Sequence, residues 1–263
     1  MRLRAAVLLF PALLLAGCDR SASEAVPQAP PSPTDETTAA AAPIPASDLL
    51  IVERSPTLNF HWRVPAEVAQ HPALLATMRT DALQAQEKMR TTAREEAQFR
   101  AENGARPVAI SMDESWALSW ENAALLNLTV AQNSYRGGAH PNLVYKSILW
   151  DKTAARAIAL PDLFSDWPNI EAGLSAQYCE ALDAERAKRR GADVDSDGPF
   201  GKCPPLTEQP VALMGNAYDG FYGIEVLLGP YVAGAYAEGS YRIELPFDEA
   251  MRAAMKADYL PVR

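Results

Sequence analysis

Ser134-Tyr135-Arg136-Gly137-Gly138-Ala139-His140-Pro141-Asn142 stands between two runs of β character, Leu125 to Asn133 before it and Leu143 to Trp150 after it. The glycine pair permits positive φ or close backbone approach, and Pro141 has no N–H for a ladder, so the stretch reads as a connection between two strands. Upstream, Met112, Trp116, Leu118 and Trp120 alternate with Ser111, Asp113, Ser115, Ala117 and Ser119, the period of a half-buried strand. Glu121-Asn122 turns the chain. Downstream, Asp151-Lys152-Thr153 is a further turn before Ala155 to Leu160. Strands in direct succession, without helices between them, imply an antiparallel sheet.

Further out the pattern changes. Leu49 to Val52 and Thr57 to Val64 read as short strands, the second with Leu58, Phe60, Trp62 and Val64 on one buried face. After Pro65, Leu75, Met78, Ala82, Ala85 and Met89 fall at helical spacing, with Phe99 continuing the face and Gly104 and Pro107 ending it. His71, next to Pro72, is expected to turn or cap the start of this helix. Leu160-Pro161-Asp162-Leu163-Phe164 opens a second helical section to about Arg190, with Leu174, Tyr178 and Leu182 inward and Glu185 to Arg190 as its solvated end. Val211 to Ala217 and Phe221 to Leu228 read as a hairpin around Tyr218-Asp219-Gly220. A Pro230 to Gly239 loop, a Ser240 to Leu245 strand and a Phe247 to Met255 helix follow. The expected class is α+β, with antiparallel sheets, packed helices and two α/β subdomains, 48–158 and 159–263.

The chain has 263 residues, 48% hydrophobic and 22% charged, which suffices for a packed core. Its net charge of −9 becomes −11, 22 basic residues against 33 acidic, once the two arginines of the leader described next are removed. Such a surface repels nucleic acid, and no basic run interleaved with aromatics offsets it.

The start of the chain carries its own signals. Met1-Arg2-Leu3-Arg4 is a positive n-region and Ala5 to Leu15 an apolar h-region, too short to span a bilayer as a mature helix. Leu15-Ala16-Gly17-Cys18 resembles the bacterial lipobox, which implies cleavage after residue 17 and lipidation of Cys18. Several acyl chains would make that attachment to the membrane stable. Asp19 resembles the retention signal of inner-membrane lipoproteins, so the expected location is the periplasmic side of a bacterial membrane, the inner one favoured. Residues 18–47 are a Pro/Ala-rich linker with Pro27, Pro30, Pro31, Pro33, Pro43 and Pro45. It is expected to be a disordered tether able to reach roughly 90 Å at ~3.1 Å per residue.

With Cys18 assigned to lipid, Cys179 and Cys203 remain, and an even pair in an exported chain reads as a disulfide. Asp193-Val194-Asp195-Ser196-Asp197-Gly198 has the opening of a calcium loop, with oxygen ligands at alternate positions. The twelfth position holds Pro204 in place of the bidentate acid, so a solvated acidic loop stands against a calcium site on Asp193, Asp195 and Asp197. No other cofactor is implied.

His140, one of three histidines, has no nearby cysteine, nucleophile elbow or second histidine at helical spacing. Shaping the connection and contacting a ligand are both open to it, catalysis less so. Trp116, Trp120, Trp150, Tyr135 and Tyr222 offer rings for glycan stacking or for the core. Asp113, Glu114, Glu121, Asp248 and Glu249 are candidate carboxylates for glycoside hydrolysis.

The Tyr135 to Asn142 run, the Leu160 to Phe164 segment and the Phe221 to Gly239 stretch leading into Tyr241-Arg242-Ile243-Glu244-Leu245-Pro246 resemble the RsiV/PdaC-like extracellular domain family over roughly residues 50–250. That resemblance implies an exported sensory or substrate-associated module, which in RsiV-like members recognises lysozyme and in PdaC-like members accompanies a peptidoglycan deacetylase domain. This chain has neither an anti-sigma segment nor a deacetylase domain, so those two activities do not carry over. The expectation is a non-catalytic, lipid-anchored module that binds peptidoglycan or a lysozyme-like protein through Tyr135, Gly137, Gly138, His140 and Asn142. The alternative is a peptidoglycan-acting hydrolase that uses carboxylates and His140.

Overall fold

The computed structural model describes residues 45–191, 197–216 and 220–260. Cys18, the linker up to Ile44, and Asp193 and Asp195 of the acidic loop lie outside them. Among the described residues the chain runs β1 (Leu50–Arg54), β2 (Leu58–Arg63), α1 (Pro72–Glu102), β3 (Ile110–Ser115), β4 (Ala117–Glu121), β5 (Leu125–Tyr135), β6 (Asn142–Asp151), β7 (Arg156–Ile158), α2 (Trp167–Arg190), β8 (Val211–Asn216), β9 (Gly220–Leu228), β10 (Tyr241–Pro246) and α3 (Glu249–Ala253). The class is α+β, with helices packed on two sheets.

The long sheet has the order β1-β2-β3-β5-β6-β7, with β4 also on β5, and the short sheet the order β10-β9-β8. Among the described residues every strand pairing is antiparallel except β2 with β3, which run parallel with Leu58 opposite Ile110 and Arg63 opposite Ser115. Antiparallel succession therefore holds from β3 onward but not before it. The 31-residue α1 between β2 and β3 returns the chain to the end where β2 began, and a crossover of that kind makes neighbouring strands parallel.

α1 starts with Pro72 at its first position, where a missing N–H is harmless. His71 is its N-cap residue by backbone, with no side-chain capping bond. The helix ends where Asn103 N–H bonds to Phe99 O and Gly104 takes φ +61°. Leu75, Met78, Ala82, Met89 and Ala93 pack on Phe60, Trp62, Met112, Leu128 and Trp150 of the long sheet. Each large side chain so buried contributes about 1.5–3 kcal/mol. Phe99, expected to continue this face, is 60% exposed, because the apolar stripe stops at Ala93 and the helix runs on past it.

The run read as one strand from Ser111 to Trp120 is two. β3 pairs with Asn133–Tyr135 of β5 and β4 with 126–129 of the same strand. A register shift between Leu118 and Trp120 sends Leu118 to the α1 cluster and Trp120 to the other one. That second cluster joins Leu125 and Leu149 of the long sheet to Leu174, Tyr178 and Leu182 of α2 and to the inner positions of β8, β9 and β10. β5 and β6 thus feed both clusters, and their outward face toward β7 is covered by the short sheet.

The Cys179–Cys203 disulfide is present, with Cα atoms 5.6 Å apart, and fastens α2 to the segment before β8. The end of α2 is not simply solvated. Arg186 is fully buried and donates to Asp183 Oδ1 (2.8 Å), Ala233 O (2.8 Å), Lys202 O (3.1 Å) and Gly201 O (3.4 Å). A basic run at a helix C-terminus looks solvated in sequence because the carbonyls it caps are tens of residues away.

Candidate functional site

The connection from Gly137 to Pro141 rises between β5 and β6, and its shape follows from α1. Gly137 takes φ +85°, and its carbonyl accepts Arg100 Nη2 at 3.0 Å, while Arg100 is itself held by Glu96 at 2.6 Å. A Cβ on Gly137 would stand 2.7 Å from Glu96 Oε1. Gly138 has open space around it, so only the first glycine of the pair is demanded by the backbone. Tyr135 ends β5 and Asn142 begins β6, so both belong to strand ends and not to the loop itself.

His140 is exposed, and its ring lies on Tyr236, centroids 3.7 Å apart and 22° from parallel. Nδ1 is 2.9 Å from Pro141 O, a geometry that requires it to carry the proton. Nε2 lies 3.4 Å from Tyr231 Oη, and Tyr236 Oη donates to Pro141 O at 3.1 Å. The imidazole is therefore a positioned ring with both nitrogens in contact, built into an aromatic ridge with Tyr231 and Tyr236.

The opposite side of that ridge is built by the loop after β9. Tyr231 sits at φ +69°, a strained conformation for a bulky residue, closed by a Tyr231 N–H to Gly234 O bond of 3.0 Å. Tyr236 is placed by the basic end of α2. Glu238 accepts Arg190 Nε (2.9 Å), Ala235 N–H (2.9 Å) and Tyr241 Oη, while Arg189 donates to Glu238 O (2.9 Å) and Ser240 O (2.7 Å). Burial pushes the Glu238 carboxyl up, but the Tyr241, Arg190 and Ala235 hydrogen bonds outweigh it and hold the group at about 2.

Two grooves lie near the ridge, one reaching Pro141 and the other Tyr231. The first, about 450 Å³, opens on the outward face of the long sheet, where Asn59, His61, Ser111, Asp113 and Asn133 form its floor and Pro141 its rim. The second, about 280 Å³, runs between Asn142–Tyr145 and Gly229–Val232. Val144, Tyr231 and Val232 along it are 42%, 51% and 39% exposed, an unusual concentration of large apolar groups in solvent.

His61 in the first groove was not expected as a site residue. Its Nδ1 meets Asp113 Oδ2 at 2.9 Å and Ser115 Oγ at 3.2 Å. Both partners share one ring nitrogen. A nucleophilic triad needs the serine and the acid on opposite nitrogens, so this set holds a side chain in place and does not activate the hydroxyl. The pairing across parallel strands, His61 opposite Asp113, is invisible until β2 and β3 are known to be neighbours.

The other candidate carboxylates serve the fold. Glu114 is buried and accepts Trp116 Nε1 (2.8 Å), Lys146 Nζ (3.0 Å) and Gln132 Nε2. Glu121 pairs with Lys152 at 3.0 Å, and Asp248 caps α3 through Met251 N–H at 2.8 Å. Glu249 lies in the first turn of α3. Of the expected stacking rings, Trp116 and Trp150 are core, Trp120 packs edge-on against Phe221, and Tyr222 is 36% exposed. Among the described residues no cluster of three His, Cys, Asp or Glu side chains could hold a metal. No described helix is long and apolar enough to cross a membrane.

No family model matches the chain, and no curated protein matches it. Solved structures do. A DUF3298 family protein from Pseudomonas aeruginosa superposes with a TM-score of 0.50 at 21% identity, over 78% of this chain and 88% of that one. A DUF3298 family member from Bacteroides fragilis gives 0.49 at 17% identity, over 76% and 84%. What is shared is the fold. These neighbours belong to a domain family of unknown function.

Proposed function

We propose that this chain is a lipid-anchored cell-envelope protein of the RsiV/PdaC-like kind, attached through Cys18 on the periplasmic side of the membrane, whose body is a binding or sensing module. The observation that carries this is the aromatic ridge of His140, Tyr231 and Tyr236, with one open groove lined by Tyr231 and another ending at Pro141 beside His140. Rigid rings with few rotatable bonds lose little entropy on contact, which suits a recognition surface. The occupancy of both His140 nitrogens favours a stacking role over that of a free base. The ligands that fit an anchored module on a long spacer are peptidoglycan and a lysozyme-like protein.

The test uses the full chain, oxidised, incubated with insoluble peptidoglycan and separately with lysozyme, with soluble muropeptides assayed in the same tubes. Saturable binding without release, weakened at least tenfold by Tyr236→Ala or His140→Ala, is the expected result. Muropeptide release would replace this reading with the hydrolase.

A further inference from the structure

The long sheet has one face under α1, while the outward face of its β1–β2–β3–β5 half is covered by nothing in the described residues. The registers align its side chains in rows. Val52, His61, Asp113, Asn133 and Leu143 stand side by side, Arg54, Asn59, Ser111 and Tyr135 form the next row, and Leu50, Arg63 and Ser115 lie on the other side. Arg54 and Arg63 are exposed, and among the described residues neither guanidinium is in an ion pair or hydrogen bond. The one carboxylate in these rows, Asp113, is engaged by His61 at 2.9 Å. In a chain of net charge −9 this face is therefore left with unneutralised positive charge.

We infer that this open sheet face binds a carboxylate-bearing glycan strand. This rests on the reading of the body as an envelope-binding module and names both its ligand class and a second contact surface. The unpaired arginines flank the His61 row, roughly 13 Å apart along the strand direction at ~3.3 Å per residue, and complement anionic groups spaced along an extended polymer. Asn59 and Ser111 in the Arg54 row and Asn133 in the His61 row present amides and hydroxyls that both donate and accept, as sugar hydroxyl and acetamido groups require. An acidic peptide would be a poorer occupant. Its main chain needs the unpaired N–H and C=O groups of a sheet edge, whereas here the backbone groups of β2, β3 and β5 are already paired on both sides. The floor runs up to Pro141, so one strand can lie across the sheet and reach the His140 ridge.

The experiment titrates the full oxidised chain with three probes: soluble muropeptides with free carboxylates, an uncharged chitooligosaccharide of equal length, and a poly-glutamate peptide. Muropeptides are expected to bind saturably and the chitooligosaccharide at least about tenfold more weakly. The double variant Arg54→Ala/Arg63→Ala should lose about tenfold in muropeptide affinity and most of its salt dependence, with an unchanged melting temperature. Wild-type affinity in that variant, or poly-glutamate binding as tight as the muropeptide, overturns the inference. If the double variant binds normally while Tyr236→Ala does not, the sheet face is excluded and the ridge stands as the binding surface. Absence of saturable binding by all three probes overturns the inference together with the peptidoglycan-binding reading.

Discussion

Asn127 accepts the backbone N–H of Leu213 at 2.7 Å, from a side chain with no solvent exposure. The same amide donates to Ile148 O at 3.2 Å and to Val211 O at 3.4 Å, so one residue of β5 fastens β8 of the short sheet to the long one. Ser147 repeats the device by accepting Val211 N–H at 3.0 Å. Asn127→Ala leaves a buried N–H and C=O without partners and opens a void, at about 2–3 kcal/mol. Thermal unfolding of the oxidised protein should move down by roughly 5–10 °C, since each kcal/mol shifts a domain of this size by a few degrees. An unchanged melting temperature would mean that the two sheets are held by their apolar contact alone.

The disulfide and Arg186 act on the same segment. Cys179–Cys203 joins residues 24 apart, a closure that stabilises by about 3–4 kcal/mol in the chain-entropy account. Arg186 caps the carbonyls of Gly201 and Lys202 just before the second cysteine. Cys179→Ala/Cys203→Ala should lower the unfolding free energy by about that amount in denaturant titrations. Reductant should do the same to the wild type and nothing further to the double variant. Arg186→Met should cost less than Arg186→Ala, because it fills the volume while leaving the carbonyls unpaired.

The strands from β5 to β10, the α1 stripe and the disulfide were legible because period, turn residues and cysteine number are local or countable. Phe99 leaves the buried stripe despite its spacing, since periodicity says which side of a helix is apolar but not where the partner surface ends. The break at Trp116 leaves no mark in the sequence because β3 and β4 keep one alternation and, as far as Leu118, one register on β5, and only β3 also pairs with β2. His140 stood out in the sequence; its companions Tyr231 and Tyr236 lie some 90 residues away and carry no motif. His61 and Asp113 became a pair only through the parallel register that α1 imposes.

Gly137 and Gly138 separate experimentally. Gly137 holds φ +85° under the Glu96–Arg100 pair, whereas Gly138 needs no positive φ and has no close neighbour. Gly137→Ala should destabilise by about 1–2 kcal/mol through strain in the left-handed region. Gly138→Ala should be neutral or stabilise by up to about 0.5 kcal/mol, by restricting the unfolded chain. Equal effects in urea unfolding would show that the connection is not shaped by α1.

Tyr231 tests whether strain is spent on presentation. Replacing it with glycine removes the left-handed penalty but adds unfolded-state entropy, so stability should stay within about 1 kcal/mol of wild type. The same variant deletes the hydroxyl on His140 Nε2 and one ring of the ridge. Binding to the envelope ligand should fall at least about fivefold with the fold intact. Tyr231→Phe keeps the ring, and should retain most of the affinity.

Glu238 links the ridge to pH. Its carboxyl is held at about 2 in the folded protein, below its ordinary 4.5, although burial alone would raise it. A depressed folded value means that its contribution is complete above the unfolded value and is lost as pH falls toward the folded one. Stability from this group should therefore be full near neutrality and decline between roughly pH 5 and 2, by about 2 kcal/mol after allowance for partial exposure. Glu238→Gln should remove that part of the acid limb and lower stability at pH 7. Because Glu238 ends the turn that begins with Tyr236, the variant should also loosen the His140–Tyr236 stack. Ligand affinity at pH 7 should then fall in Glu238→Gln while Glu244→Gln, on the exposed side of β10, leaves it unchanged. If affinity survives in Glu238→Gln, the ridge is held by Pro141 and its own stacking, and the arginines of α2 serve only the fold.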